Sequence, residues 1–142
     1  FPWQMKLAVN GTPFPIDDRR GIPKMIFKGT LEHFSEDTLA RFRRRMCGSS
    51  GQTEEFLSRT PTRTAEELRE ELAALAQGIT AYGSSSFIWD RAIIGNRDKI
   101  FPPRNQHEAW QGTEIMETEA EHYETSLFSR LLEGKGEEWT RH

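Results

Sequence analysis

The sequence predicts an α+β fold: a small N-terminal antiparallel hairpin or three-stranded sheet packed against three to four helices, with a long amphipathic helix near the C-terminus. Three patterns carry that expectation. Residues 3–9 alternate, with Trp3, Met5, Leu7 and Val9 on one face, the period of a half-buried strand. Asn10-Gly11 follows at once, and such a pair supplies the positive φ angles that a two-residue hairpin turn requires. Over residues 113–133 apolar positions recur every three or four residues, at Ile115 and Met116, Ala120, Tyr123, Leu127 and Phe128, and Leu131 and Leu132. Glu117, Glu119, Glu121 and Glu124 fall on the other side of that stripe, so one face seeks a core and the other water.

The remaining elements follow in order. Residues 12–16 read as the return strand, placed at a sheet edge because Pro13 and Pro15 cannot donate to a ladder. Residues 17–21 form a polar turn, and 24–28 a third strand that ends at Gly29. Ser35 caps a short helix with Leu39, Phe42 and Met46 on its buried side, and Gly48 closes it. One or two turns follow at 53–58, and Pro61 makes 59–63 a loop. Thr64 and Glu67 have capping-box spacing, ahead of a helix whose stripe is Leu68, Leu72, Leu75 and Ile79. Between Gly83 and Gly95 the apolar residues crowd without a period, which leaves strand and buried helix both open. Residues 96–112 read as loop around Pro102-Pro103, and the 113–133 helix starts at a Thr113 cap and stops at Gly134. The whole is one domain: β-rich over 1–34, mainly helical over 35–136, with a tail at 137–142.

Composition narrows the function classes. A chain of 142 residues fits a single core that buries roughly 70% of the unfolded surface. Apolar residues are 35% and charged residues 29%, but 4 Trp, 9 Phe and 2 Tyr lift the chain above the disordered class. A lone cysteine, Cys47, has no internal disulfide partner, which suits a reducing compartment better than secretion. No apolar run approaches the roughly 20 residues of a membrane-crossing helix, so no membrane partner is expected. A first residue of Phe rather than Met suits a processed or trimmed precursor.

The net charge of −3 conceals two opposed patches. Arg41, Arg43, Arg44, Arg45, Arg59 and Arg63 face only Glu54 and Glu55 in their stretch, while 114–138 holds eight glutamates against Arg130 and Lys135. Arg97, Lys99 and Arg104 make a second basic patch. Guanidinium forks suit phosphate oxygens, so these side chains are candidates either for phosphate binding or for a protein interface. Trp110 and Trp139, large residues outside the firm helices, are candidate interface anchors. Glu117, Glu121, His122 and Glu124 are candidates for a metal or acid/base site, with Glu117 and Glu121 four apart on one helical face. The i, i+3 spacing of a metal-binding helix occurs only once, however, at Glu119 and His122, and these residues read as a solvated face. His33 and His107 lack metal-ligand spacing, and neither a metal nor a cofactor is expected. The three arginines before Cys47 could depress its pKa, yet no histidine pairs with it in a nucleophile motif. Phosphate-binding glycine loops and the G-x-S-x-G elbow are absent from the sequence.

Ser84-Ser85-Ser86 and Glu119-Ala120-Glu121 resemble the Ser-Thr-Ser and Glu-x-Glu motifs of ADP-ribosyltransferases, and that resemblance implies an ADP-ribosyl transfer site. It covers those six residues only. The strand that carries the family's arginine reads Phe27-Lys28-Gly29 here, and the acidic pair lies in a predicted helix rather than at a strand and turn. The function expected from the sequence is a non-enzymatic structural or adaptor subunit, docking into a larger assembly through protein partners or self-association. The alternative is an RNA- or DNA-binding protein of coat type, gripping phosphates with the arginine cluster; an enzyme comes third.

Overall fold

The computed structural model describes residues 5–60, 62–82 and 88–133. Its strands, β1 (Leu7–Val9), β2 (Arg91–Gly95) and β3 (Glu114–Thr118), form one sheet in the order β1-β2-β3. Both pairings are parallel, with Leu7 opposite Arg91 and Arg91 opposite Glu114. Parallel neighbours cannot be joined by a tight turn and need crossovers of about a dozen residues or more. The first crossover carries α1 (Lys24–Glu32), α2 (Glu36–Cys47), α3 (Ser50–Arg59) and α4 (Ala65–Tyr82); the second carries α5 (Pro103–Ala109), and α6 (Thr125–Leu132) follows β3.

The antiparallel hairpin is therefore corrected to a parallel α/β arrangement. Asn10 does adopt positive φ, at 50°, but Gly11 does not, so no two-residue hairpin turn forms. The Asn10 side chain makes long-range bonds instead. Its Oδ1 accepts from Gly95 N at 2.7 Å, and its Nδ2 donates to the carbonyls of Glu121 and His122 at 3.1 Å each. Those contacts bind the end of β1 into the interior, where a hairpin would have turned it outward. The expected return strand is reduced to one bridge between Ile16 and Ile22. The expected strand at 24–28 is helical, because Pro23 sets the chain at its start and Asp18 Oδ1 accepts from the leading amide, Lys24 N, at 2.8 Å.

The long 113–133 helix is corrected as well: it divides into β3, a loop over 119–124 and α6. Its three-to-four spacing mixes two sets of apolar residues. Ile115 packs on one side of the sheet and Met116 on the other, whereas Leu127 and Leu131 belong to a short helix. The stretch left open ahead of Gly95 leads into β2, whose residues are all buried, while 83–87 lie outside the described residues. A central strand covered on both faces has no polar alternation to show, which is why its period was unreadable.

Alternate residues of β2 feed two cores. Ile93 packs with Ala120 and Leu127, joined by Leu7, Val9, Met116 and Leu131. Ala92 and Ile94 pack with Trp110, joined by Ala8, Trp89 and Ile115. The helices of the first crossover make a further layer in which α2 packs on α3 and α1 on α4. Ser35 caps α2 and Gly48 ends it at φ 79°, as the sequence implied. Thr64 and Glu67 exchange the two capping-box bonds at the start of α4. Among the described residues no helix is long and apolar enough to cross a membrane.

Truncation at the centre of the sheet measures this arrangement. Ile93→Ala should lower the unfolding free energy by about 2–5 kcal/mol in urea melts, with the denaturant slope unchanged. Met25→Ala, on the exposed face of α1, should stay within about 0.5 kcal/mol of the parent.

Candidate functional site

The C-terminal ends of β2 and β3 face one another and deliver a carboxylate and an imidazole to the same place. β2 ends at Gly95, and a tight turn closed by Asp98 N donating to Gly95 O at 3.1 Å brings Asp98 inward. Its side chain has no exposed surface. Oδ1 accepts from the main-chain amides of Ile100 and Phe101 at 2.8 and 2.9 Å. Oδ2 accepts from Gln106 Nε2 at 3.2 Å and lies 2.9 Å from His122 Nδ1. Three donors already converge on this carboxyl group, so it serves as an acceptor and the imidazole nitrogen beside it is the donor. That assigns the proton to Nδ1 and leaves the Nε2 lone pair free to take a proton.

The scaffold around the pair is tight. A Cβ on Gly95 would stand 2.5 Å from the carbonyl oxygen of Ala120, so only glycine lets the loop bearing His122 approach the end of β2. Arg97 N donates to that same carbonyl at 3.1 Å. The Phe101 ring stacks on the imidazole, with centroids 5.8 Å apart and planes 18° apart. Gln106, fully buried on α5, also donates to Phe101 O at 2.9 Å and thus braces both neighbours of the imidazole.

Beside this turn lies a cavity of about 340 Å³, enclosed by α1, α2 and α4 and by the segment that follows Asp98. Its walls are apolar, from Ile26 and Phe27 of α1, Leu39 and Phe42 of α2, and Leu68 and Leu72 of α4. Lys99, Ile100 and Pro102, which directly follow Asp98, form another wall, and Arg45, Glu71 and Lys99 bring the charges.

The residues singled out from the sequence fall in several places. Arg41, Arg44 and Arg45 are exposed on α2 and Arg43 is half-buried. Among the described residues these four make no salt bridge, whereas Arg59 pairs with Glu55, Arg63 with Glu71, Arg97 with Glu119 and Lys99 with Glu121. The basic residues thus do not form one free track. Arg104 is exposed on α5. Trp110 is buried in the core and donates from Nε1 to Gly11 O at 2.9 Å, so it anchors the interior and not an outer interface. Trp139 and Ser84-Ser85-Ser86 lie outside the described residues. Glu119 and Glu121 stand in a loop, with Glu119 exposed and Glu121 buried. Among the described residues no cluster of three or more His, Cys, Asp or Glu could hold a metal ion. Burial pushes the Cys47 thiol up, with the Thr53 hydroxyl opposing it, so the depression expected from neighbouring arginines does not occur.

The sequence pattern places His122 on a wet helix face and does not mark out Asp98. The available signal was Asp98 in a turn just after the apolar Ile93 and Ile94, the position at the carboxyl end of a parallel strand where α/β folds keep their sites.

Residues 1–133 match the protein family described as pimeloyl-ACP methyl esterase BioG. A malonyl-[acyl-carrier protein] O-methyltransferase of Bacteroides fragilis is 48% identical over 133 residues, which are 92% of this chain and 27% of that protein. An uncharacterized protein of Haemophilus influenzae is 44% identical over 124 residues, 86% of this chain and 57% of that protein. A crystal structure of BioG from Haemophilus influenzae superposes with a TM-score of 0.81 at 40% identity, covering 89% of this chain and 60% of that one. The chain thus spans 27% and 57% of the length of these two curated relatives. These matches overturn the structural or adaptor role, its nucleic-acid-binding alternative and the ADP-ribosyltransferase resemblance, since they run through almost the whole chain to an enzyme family.

Two measurements probe the site directly. Gln106→Leu should cost about 1–3 kcal/mol of stability in urea melts, because Asp98 and the Phe101 carbonyl each lose a donor within a buried space. Cys47 should react slowly with a thiol reagent at pH 8 in the folded protein and at the rate of a free cysteine in urea, since its raised pKa keeps the thiolate scarce and burial blocks access.

Proposed function

The chain belongs to the pimeloyl-ACP methyl esterase family BioG, and on that premise we propose that His122 is the general base, later the general acid, and Asp98 the carboxylate that orients it, in a site that cleaves a methyl ester borne by an acyl-carrier protein. The observation that carries the reading is the 2.9 Å contact between His122 Nδ1 and a fully buried Asp98 carboxylate.

Ester hydrolysis by such a pair runs in two halves. Nε2 of His122 takes the proton of a hydroxyl nucleophile as its oxygen attacks the ester carbonyl. The same proton then passes to the departing methoxy oxygen, and methanol leaves an acyl-enzyme. In the second half His122 deprotonates water, which attacks the acyl carbon, and the nucleophile recovers its proton as the free acid departs. Asp98 holds the imidazole in the required tautomer and stabilises the imidazolium between the two transfers. Among the described residues no hydroxyl bonds His122 Nε2. In α/β-hydrolases the triad follows in the order Ser, Asp, His, and here Asp98 after β2 precedes His122 after β3.

Two further features support a carrier-borne acyl substrate. The cavity of about 340 Å³ is apolar, of a size for a medium-length acyl chain, and abuts the turn that follows Asp98. Arg41, Arg43 and Arg44 have no internal ion pair among the described residues, and with Arg45 at the cavity wall they present positive charge to a carrier with an acidic surface.

In the intact protein, Asp98→Asn and His122→Ala should each lower kcat on the order of 10³-fold or more for a methyl ester, with KM nearly constant. Arg41→Glu with Arg44→Glu should raise KM for a carrier-borne ester and remove its salt dependence, leaving a small soluble methyl ester unaffected. Equal losses on both substrates would refute carrier docking at this face.

A further inference from the structure

His122 sits on the loop 119–124, and a loop keeps an imidazole within hydrogen-bonding range of a carboxylate only when it is held at several points. The sheet supplies some of them: Asn10 Nδ2 bonds the carbonyls of Glu121 and His122, and Arg97 N bonds that of Ala120. The helical layer supplies the rest. Tyr123 N donates to Met46 O at 2.9 Å, filling one of the carbonyls that the end of α2 leaves without an intrahelical partner. The Tyr123 ring meets Phe56 of α3 edge-on at 5.0 Å and Phe128 of α6 at 5.9 Å. The side chain of Glu121, the residue before His122, lies directly on Gly48, where α2 ends in a left-handed conformation. A Cβ added at Gly48 would fall on the Glu121 carboxyl group, so the contact has no spare room.

Glu121 gains little in polar terms from this position. Its side chain is 11% exposed, the nearest cation is Lys99 Nζ at 3.9 Å from Oε2, and that oxygen accepts no hydrogen bond among the described residues. A carboxylate so placed costs free energy to bury. What it provides is a rigid stop between the loop of His122 and the joint of α2 with α3. We infer that this joint positions the base: Gly48 and the Glu121 side chain packed on it, together with the Tyr123 to Met46 bond, press the His122 imidazole against Asp98 from the helical side. Glu121 is then a positioning residue, and the inference rests on His122 being the base. Because α2 also lines the apolar cavity through Leu39, Phe42 and Arg45, the helix that borders the substrate also fixes the base.

The test reads the low-field proton resonance of a histidine Nδ1–H bonded to a carboxylate, alongside kcat and KM, in the intact protein. Gly48→Ala should broaden or abolish the resonance and lower kcat on the order of tenfold to a hundredfold, the scale of a misplaced catalytic group, while KM stays within about twofold. Glu121→Ala should weaken the resonance and lower kcat several-fold, less than Gly48→Ala does. The double variant decides the cause. Removing the Glu121 side chain makes room for the new Cβ, so the resonance and kcat should return to the level of Glu121→Ala alone. A double variant no better than Gly48→Ala would overturn the inference, because backbone strain alone would then explain the loss. If Gly48→Ala fails to fold, Glu121→Ala and Tyr123→Leu decide, and an unchanged resonance with unchanged kcat in both overturns it. His122→Ala measured in parallel separates the two claims: retained turnover there defeats the esterase reading, while the resonance still judges the joint.

Discussion

A carboxylate with no exposed surface is the constraint around which the molecule is arranged. Asp98 can be buried only because donors reach both of its oxygens: two successive main-chain amides on one, the Gln106 amide and the His122 imidazole on the other. Each donor depends on a different part of the fold. The amides belong to the turn after β2, Gln106 belongs to α5, and His122 belongs to the loop after β3. Gly95 and Asn10 then become legible as fitting pieces. Gly95 allows the His122 loop to come close, and Asn10 ties the end of β1 to both neighbouring segments through three bonds.

How much of this could be read in the chain follows from which interactions are local. The caps of α2 and α4 are made by residues three apart in sequence, Ser35 with Thr38 and Thr64 with Glu67, and both helices were visible for that reason. The parallel sheet was not, because its pairings join positions 7 to 91 and 91 to 114, and no short-range pattern encodes them. Asn10-Gly11 shows the conflict most clearly. Its hairpin signal is a local preference, overridden by three bonds to residues 85 and more positions away. The 113–133 stretch failed for the opposite reason. Apolar residues from a strand and from a helix happened to keep one apparent period across the loop between them.

The site was less visible than the fold. Asp98 and His122 are 24 residues apart and belong to no short motif, so only the pairing of β2 with β3 brings them together. The arginines of α2 were visible in the sequence as a group, but not what distinguishes them. That distinction appears only when Arg59 is seen to pair with Glu55, Arg63 with Glu71 and Arg97 with Glu119. Trp110 made the converse error: a large aromatic in a proline-containing loop looked like an interface anchor and proved to be the buried partner of Ala92 and Ile94.

If the Asp98–His122 pair serves hydrolysis of a methyl ester, the most direct measurement follows the methyl group. The intact protein would be incubated with the methyl ester of a dicarboxylic acyl chain on its carrier protein, and both methanol and the free acid would be assayed. Methanol released in equal amount to the free acid, with no methyl acceptor or donor added, is the predicted result. An ester left intact, or a methyl group placed on the free acid when a donor is supplied, would contradict it.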